Sequence, residues 1–137
     1  MGALKNFFRA VAGICETKPL DRALWRIEAD QAVVLLAGAG QLQARGSAVR
    51  LESAELGVPL LVMHGPDGTY RAFINRCTHM GRRLDPAQEG QALRCCSLSH
   101  STFDLQGAKL SGPAKGALTP LAVRHERGEL YITLPSD

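Results

Sequence analysis

The chain has 137 residues, 45% of them hydrophobic and 21% charged, which suits one domain with an ordinary apolar core. Aromatic residues make up only 5%, against 14 glycines and 7 prolines, a balance that favours a loop-rich β domain packed from Val, Leu, Ala and Ile over a long-helix protein. The net charge of +3 comes without a Lys/Arg run or basic residues interleaved with aromatics, so a nucleic-acid footprint is unsupported and a mildly acidic protein partner would fit.

Near the start, Leu4, Phe7, Phe8 and Val11 share one helical face at spacing i, i+3, i+4, i+7. Residues 1–19 are therefore read as an N-terminal segment, helical and docked on its own domain, and Lys18-Pro19 ends it because the residue before proline resists helix. Arg9 interrupts the apolar stretch and no extended hydrophobic region follows, so a signal peptide is not expected and the cytoplasm is the default compartment. The longest apolar stretches, 32–39 and 58–63, fall well short of the ~20 residues that a membrane span needs.

From residue 20 to 137 the pattern is that of one β domain. Strands are expected over 32–36, 48–51, 60–64 and 70–74, where β-branched or alternating apolar residues lie between Gly, Pro and Asp punctuation. Gly65-Pro66-Asp67-Gly68 is a turn signal that makes 60–74 a hairpin. Further strands are expected at 92–95 and 102–105, with a turn at Gln106-Gly107, and 121–123 with 130–134 form a closing hairpin around 126–128. The whole predicts an all-β fold, an antiparallel sandwich or barrel, with one long irregular excursion over 77–101. Loops of that length in a small β domain are usually functional, since their backbone polar groups must be satisfied outside a sheet ladder.

Cys77-Thr78-His79 opens the excursion and Cys96-Ser97-Leu98-Ser99-His100 closes it. Two thiolates and two imidazoles in two Cys-His pairs supply four ligands, either for a tetrahedral metal ion or for a cluster with one all-Cys and one all-His iron. Cys95 rivals Cys96 for the second thiolate; otherwise it is a small buried hydrophobe at a strand end. Cys15, remote from the motif, is read as a packed thiol, and His64 and His125 as ordinary histidines beside hairpins. Cysteines clustered in this way point to metal or catalysis before disulfides.

These residues resemble the Rieske iron-sulfur family. Cys77-Thr78-His79-Met80-Gly81-Arg82-Arg83-Leu84 is similar to the family's first ligand loop, C-x-H-x-G-x-x-L. Phe103-Asp104-Leu105 resembles its aromatic-Asp stretch, and Gly112-Pro113-Ala114 the proline loop that covers the cluster. Asp67 to Phe73 is similar to the hairpin that leads into the first loop, so the resemblance covers about residues 46–134. It implies a Rieske-type 2Fe-2S cluster held by Cys77, His79, Cys96 and His100, within a small cluster-binding subdomain of about residues 76–115. One departure stands out. Counted without gaps from Cys96 to Phe103, the family's histidine position holds Ser99, and His100 takes the place of the following glycine. A cluster iron needs imidazole or thiolate, so His100 is the expected ligand, and Cys96 is preferred to Cys95 because it keeps the register with Phe103.

The resemblance further implies a one-electron carrier of the soluble ferredoxin branch. Gly81 and Leu98 stand where respiratory members carry a second cysteine pair, Ser101 matches a serine that donates to a cluster sulfur, and Phe103 replaces a tyrosine. With no separate catalytic iron motif or nucleotide-binding Gly-rich loop in view, the chain is expected to relay electrons between a reductase and an acceptor oxygenase or reductase. Two other classes remain open at this stage: a structural zinc site built from the same side chains, and a degenerate Rieske fold that acts as a binding or regulatory module.

Overall fold

The computed structural model describes residues 15–78, 81–96 and 101–136. The expected N-terminal helical face, together with His79, Ser99 and His100, lies outside these residues. Among the described residues there are twelve strands, joined by loops and short 3-10 turns. All of the strand pairings are antiparallel, and they make three four-stranded sheets. No helix among the described residues is long and apolar enough to cross a membrane.

The first sheet has the order β1-β2-β12-β11, from Trp25–Glu28, Gln31–Leu35, Glu129–Thr133 and Val123–Glu126. The second has the order β10-β5-β4-β3, from Pro120–Leu121, Tyr70–Ile74, Leu60–His64 and Ala48–Leu51. The third has the order β6-β7-β8-β9, from Leu84–Ala87, Ala92–Cys95, Thr102–Phe103 and Lys109–Ser111.

The second sheet lies between two cores, and β4 shows why. Its residues Leu60, Leu61, Val62 and Met63 are all buried, which breaks the apolar-polar alternation of a half-exposed strand. Successive side chains point to opposite faces. Leu60 and Val62 accordingly pack with Trp25, Ala32, Val34, Leu130 and Ile132 of the first sheet. Leu61 and Met63 pack with Phe73, Leu84, Leu93, Cys95 and Phe103, and so face the third sheet. Cys77 belongs to this second core.

The expected strands at 48–51, 60–64, 70–74 and 92–95 are present with those limits. Three others were not foreseen. β1 carries two charged residues, Arg26 and Glu28, on its open face; β6 contains Pro86; and all of β9 is exposed. The closing hairpin turns at Arg127-Gly128, so β11 extends to Glu126 where the sequence suggested a turn. Residues 15–19 form no helix. Pro19 makes a parallel bridge to Arg50, while the Leu20 and Arg50 amides donate to Arg50 and Lys18 carbonyls at 2.8 and 2.9 Å.

Candidate metal centre

The third sheet and the second core hold the excursion in place. The first ligand loop starts where β5 ends, at Asn75, which is fully buried. Its side-chain oxygen accepts from the Leu84 amide at 2.9 Å, clamping the end of β5 to the start of β6. Within the loop the Cys77 amide donates to the Arg82 carbonyl at 2.7 Å, and the Gly81 amide donates to the Cys77 carbonyl at 3.1 Å. Gly81 has φ +66°, in the left-handed region that glycine enters without a Cβ penalty, so the G of the motif is there for the turn. Arg83 leaves the loop toward the neighbouring sheet and meets Glu52 at 2.8 Å.

The second ligand loop leaves β7. The Cys95 amide donates to the Ser101 carbonyl at 2.8 Å and closes the base of the loop, while the next amide, that of Cys96, donates the other way to Arg83 at 2.9 Å. Ser101 is fully buried, and its hydroxyl oxygen accepts from the Ala114 amide at 3.0 Å. This bond seats the Gly112-Pro113-Ala114 segment against the exit of the loop. A Cβ on Gly112 would lie 2.5 Å from the Ser101 Cα, and its φ is +95°, so only glycine permits the approach. The same segment also reaches the first loop. The Thr78 hydroxyl donates to the Gly116 carbonyl at 2.7 Å, and the Gly116 amide returns a 3.3 Å bond to the Thr78 oxygen. Both ligand loops and the proline loop are thus tied into one unit.

The cysteines divide in two. Cys77 and Cys95, 2% and 0% exposed, belong to one apolar cluster with Leu84, Leu93, Phe103, Ala114 and Leu118. Cys96 turns to the opposite face and forms a disulfide with Cys15, with a Cα–Cα distance of 5.4 Å. This corrects the reading of Cys15 as a packed thiol. Its sequence signal was only that the cysteine count is even, and connectivity cannot be deduced from a count. Beside the disulfide lies Asp85, 4% exposed, whose carboxylate accepts from the Glu16 and Thr17 amides at 2.8 and 2.9 Å. Cys15, Cys96 and Asp85 offer ligand atoms within 4.8 Å of one another, although a disulfide leaves no thiolate there to bind metal.

Sequence reasoning did not single out Asn75, Thr78 or Asp85 for any role. Each acts through backbone partners remote in sequence, which carry no motif. His64 and His125 lie apart from the ligand loops and flank Tyr70, with ring centroids 4.4 and 5.2 Å from it. That agrees with their reading as ordinary histidines.

The donor chemistry fits a Rieske cluster: Cys77 and Cys95 share one apolar cluster, and the loops whose sequences carry His79 and His100 are tied together through Thr78, Ser101 and the proline loop. The buried side-chain nitrogen of Asn75 has no hydrogen-bond partner among the described residues, as expected of a donor facing a group or residue outside them.

Comparison with known proteins agrees. The glycine betaine monooxygenase oxygenase subunit of Chromohalobacter salexigens is 34% identical over 86 residues, which are 56% of this chain and 19% of that protein. The corresponding subunit of Pseudomonas aeruginosa is 31% identical over 104 residues, 69% of this chain and 24% of that protein. The chain therefore spans about a fifth to a quarter of the length of these curated relatives. Among solved structures, the ferredoxin of carbazole 1,9a-dioxygenase from Nocardioides aromaticivorans superposes with a TM-score of 0.61 at 21% identity, covering 75% of this chain and 98% of that one. A quaternary ammonium Rieske monooxygenase superposes with a TM-score of 0.57 at 18% identity, covering 96% of this chain and 34% of that one. At such identities the likeness shows the fold alone. Residues 30–124, which contain both Cys-His pairs and the strands that hold them, match the family described as Rieske [2Fe-2S] domain, and the chain belongs to that family.

Proposed function

We propose that the chain works as a one-electron carrier, a ferredoxin component that passes electrons from a reductase to a terminal redox enzyme and transforms no substrate itself. The observation that carries this reading is the pairing of Cys77 and Cys95 in one apolar cluster, with the loops that follow them tied together through Thr78, Ser101 and the proline loop. The residues proposed to hold the cluster are Cys77, His79, His100 and one cysteine of the Cys95-Cys96 pair, Cys96 being the one the sequence register favours. When bound, a cluster with two thiolate and two imidazole ligands takes up and returns a single electron at about −150 to +300 mV. The protein's share is to exclude water with Leu84, Phe103, Ala114 and Leu118, and to orient the ligand loops through Asn75, Thr78 and Ser101. Ser101 accepts from Ala114, which leaves its own proton to donate.

A docking face for the redox partner is supported beside the loops. Lys109, Pro113 and Lys115 are exposed there, as is Leu110 at 56%, the one large hydrophobic side chain that is exposed among the described residues. An apolar spot rimmed by cations suits a partner with an acidic rim around an apolar centre. The cytoplasm remains the proposed compartment. The Cys15–Cys96 disulfide favours a second reading, an oxidising compartment, because reducing ones rarely keep such bonds.

The test is spectroscopic. Aerobically purified protein should be red-brown, with about two iron and two labile sulfide per chain and a Rieske paramagnetic signal after dithionite reduction. His100→Ala should lose that signal, and Ser99→Ala should keep it. A colourless protein with stoichiometric zinc would overturn the reading. The match to oxygenase subunits favours a second destination for the electron, an oxygenase site in the same assembly; stopped-flow mixing with a separate oxygenase tests whether electrons leave the chain at all.

A further inference from the structure

We propose that the adjacent thiols Cys95 and Cys96 have divided roles: Cys95 is the second thiolate toward the cluster, and Cys96 is a covalent staple that fastens the N-terminal segment to the second ligand loop. The assignment rests on the reading of the site as a Rieske centre, and it exchanges the cysteine that the register with Phe103 prefers.

The argument is one of strand parity. In β7, Leu93 and Cys95 lie two apart and face the same side, and both belong to the core cluster that contains Cys77. Cys95 lies directly opposite Leu84, the first strand residue after the first ligand loop, so its side chain shares the Leu84 face. Cys96 is the bend residue just past the end of β7, and it turns away. Its backbone shows the same reversal, since the Cys95 amide bonds toward Ser101 and the Cys96 amide toward Arg83. On that far side it meets Cys15. With its sulfur bonded to Cys15, Cys96 is drawn away from the cluster that contains Cys77, and Cys95 is the thiol of the pair that belongs to it.

The staple is more than a chance encounter. Asp85, in the strand paired with β7, binds the two amides that follow Cys15, and residues 18–20 then run along β3. The segment is held at three successive points, which places the Cys15 sulfur against Cys96. With Cys95 as ligand, four residues, Cys96 to Ser99, separate it from His100. The displaced histidine thus goes together with a displaced cysteine in a loop whose base is closed by the Cys95–Ser101 hydrogen bond. Opening the staple is a two-electron step. A dithiol such as dithiothreitol is oxidised to its cyclic disulfide, and the Cys15 and Cys96 sulfurs gain two electrons and two protons.

The experiment uses the full chain and two independent readouts. Wild-type protein, unfolded in guanidinium with chelator and alkylated without reductant, should carry label on Cys77 and Cys95 and none on Cys15 or Cys96; after dithiothreitol all four should be labelled. In parallel, Cys15→Ala and Cys96→Ala should keep wild-type iron and labile sulfide, whereas Cys95→Ala should lose both while retaining the β-sheet circular dichroism. If Cys95→Ala fails to fold, the labelling pattern decides. Loss of iron in Cys96→Ala, or its retention in Cys95→Ala, overturns the assignment yet leaves the Rieske reading intact. Label on Cys15 and Cys96 without reductant overturns the staple. Wild-type protein without iron overturns the assignment and the Rieske reading together.

Discussion

Replacing Cys15 by serine should destabilise the fold measurably without truncating a residue of either core cluster. The disulfide closes a loop of sequence separation 81, and the chain-entropy relation for a loop of that length gives about 4.5 kcal/mol of unfolded-state restriction. Measured native disulfides usually return about 2–4 kcal/mol. Some of the segment's anchorage survives, because the Asp85 carboxylate still accepts from the Glu16 and Thr17 amides. For a domain between 100 and 150 residues one kcal/mol moves the unfolding midpoint by about 3–4 °C, so the shift should be roughly 6–15 °C. The assay is thermal unfolding followed by circular dichroism at one scan rate, comparing Cys15→Ser, wild type, and wild type with dithiothreitol. The reduced wild type should coincide with Cys15→Ser, and Asp85→Ala added to Cys15→Ser should lower the midpoint again. A midpoint for Cys15→Ser within about 1 °C of wild type would show that the staple does not restrict the unfolded chain and would refute the reasoning.

Three further outcomes follow from the geometry. Ser101→Ala strips the acceptor from the buried Ala114 amide and should cost about 1–3 kcal/mol in urea unfolding, with faster loss of iron to a chelator as the proline loop loosens. Phe103→Tyr puts a hydroxyl into the cluster of side chains that holds Cys77 and Cys95 and should raise the midpoint potential in a protein-film titration; an unchanged or lower value would mean that the ring does not face a cluster sulfur. The Thr69 hydroxyl, then the Thr69 amide, with Arg71 adding to them, holds Asp67 below the ordinary aspartate value of 3.8, and hydrogen bonds from Arg26 and Tyr131 hold Glu129 below 4.5. Both carboxyls are depressed in the folded state, so their stabilisation is present above those ordinary values and is lost as pH falls through the folded ones. Carbon-detected titration should find both midpoints lowered, and Thr69→Ala should bring Asp67 back up.

Much of the site was legible because its signal is local. Cys77-Thr78-His79 and Gly81 match the family's first ligand-loop pattern by residue type and spacing, and Gly65 to Gly68 declares a hairpin because only certain residues tolerate its turn. β4 and β5 could be placed residue by residue since Leu60 to Met63 and Ala72-Phe73 are apolar runs cut off by turn signals. Composition and these motifs together determined an all-β chain of the Rieske family.

The tertiary structure decided what depends on partners distant in sequence. β6 contains a proline and β9 has no buried residue, so neither has a pattern of its own; each exists because a neighbouring strand supplies its hydrogen bonds. Cys15 looks idle in the sequence and finds Cys96 only when Asp85 and β3 align the N-terminal segment with the ligand loop. The separation of Cys95 from Cys96 has the same cause. Adjacent cysteines are chemically identical as letters, and only the tertiary structure, by pairing Cys95 with Leu84 at the end of β7 and bringing Cys15 to the bend that follows, puts one in the cluster of Cys77 and bonds the other to Cys15.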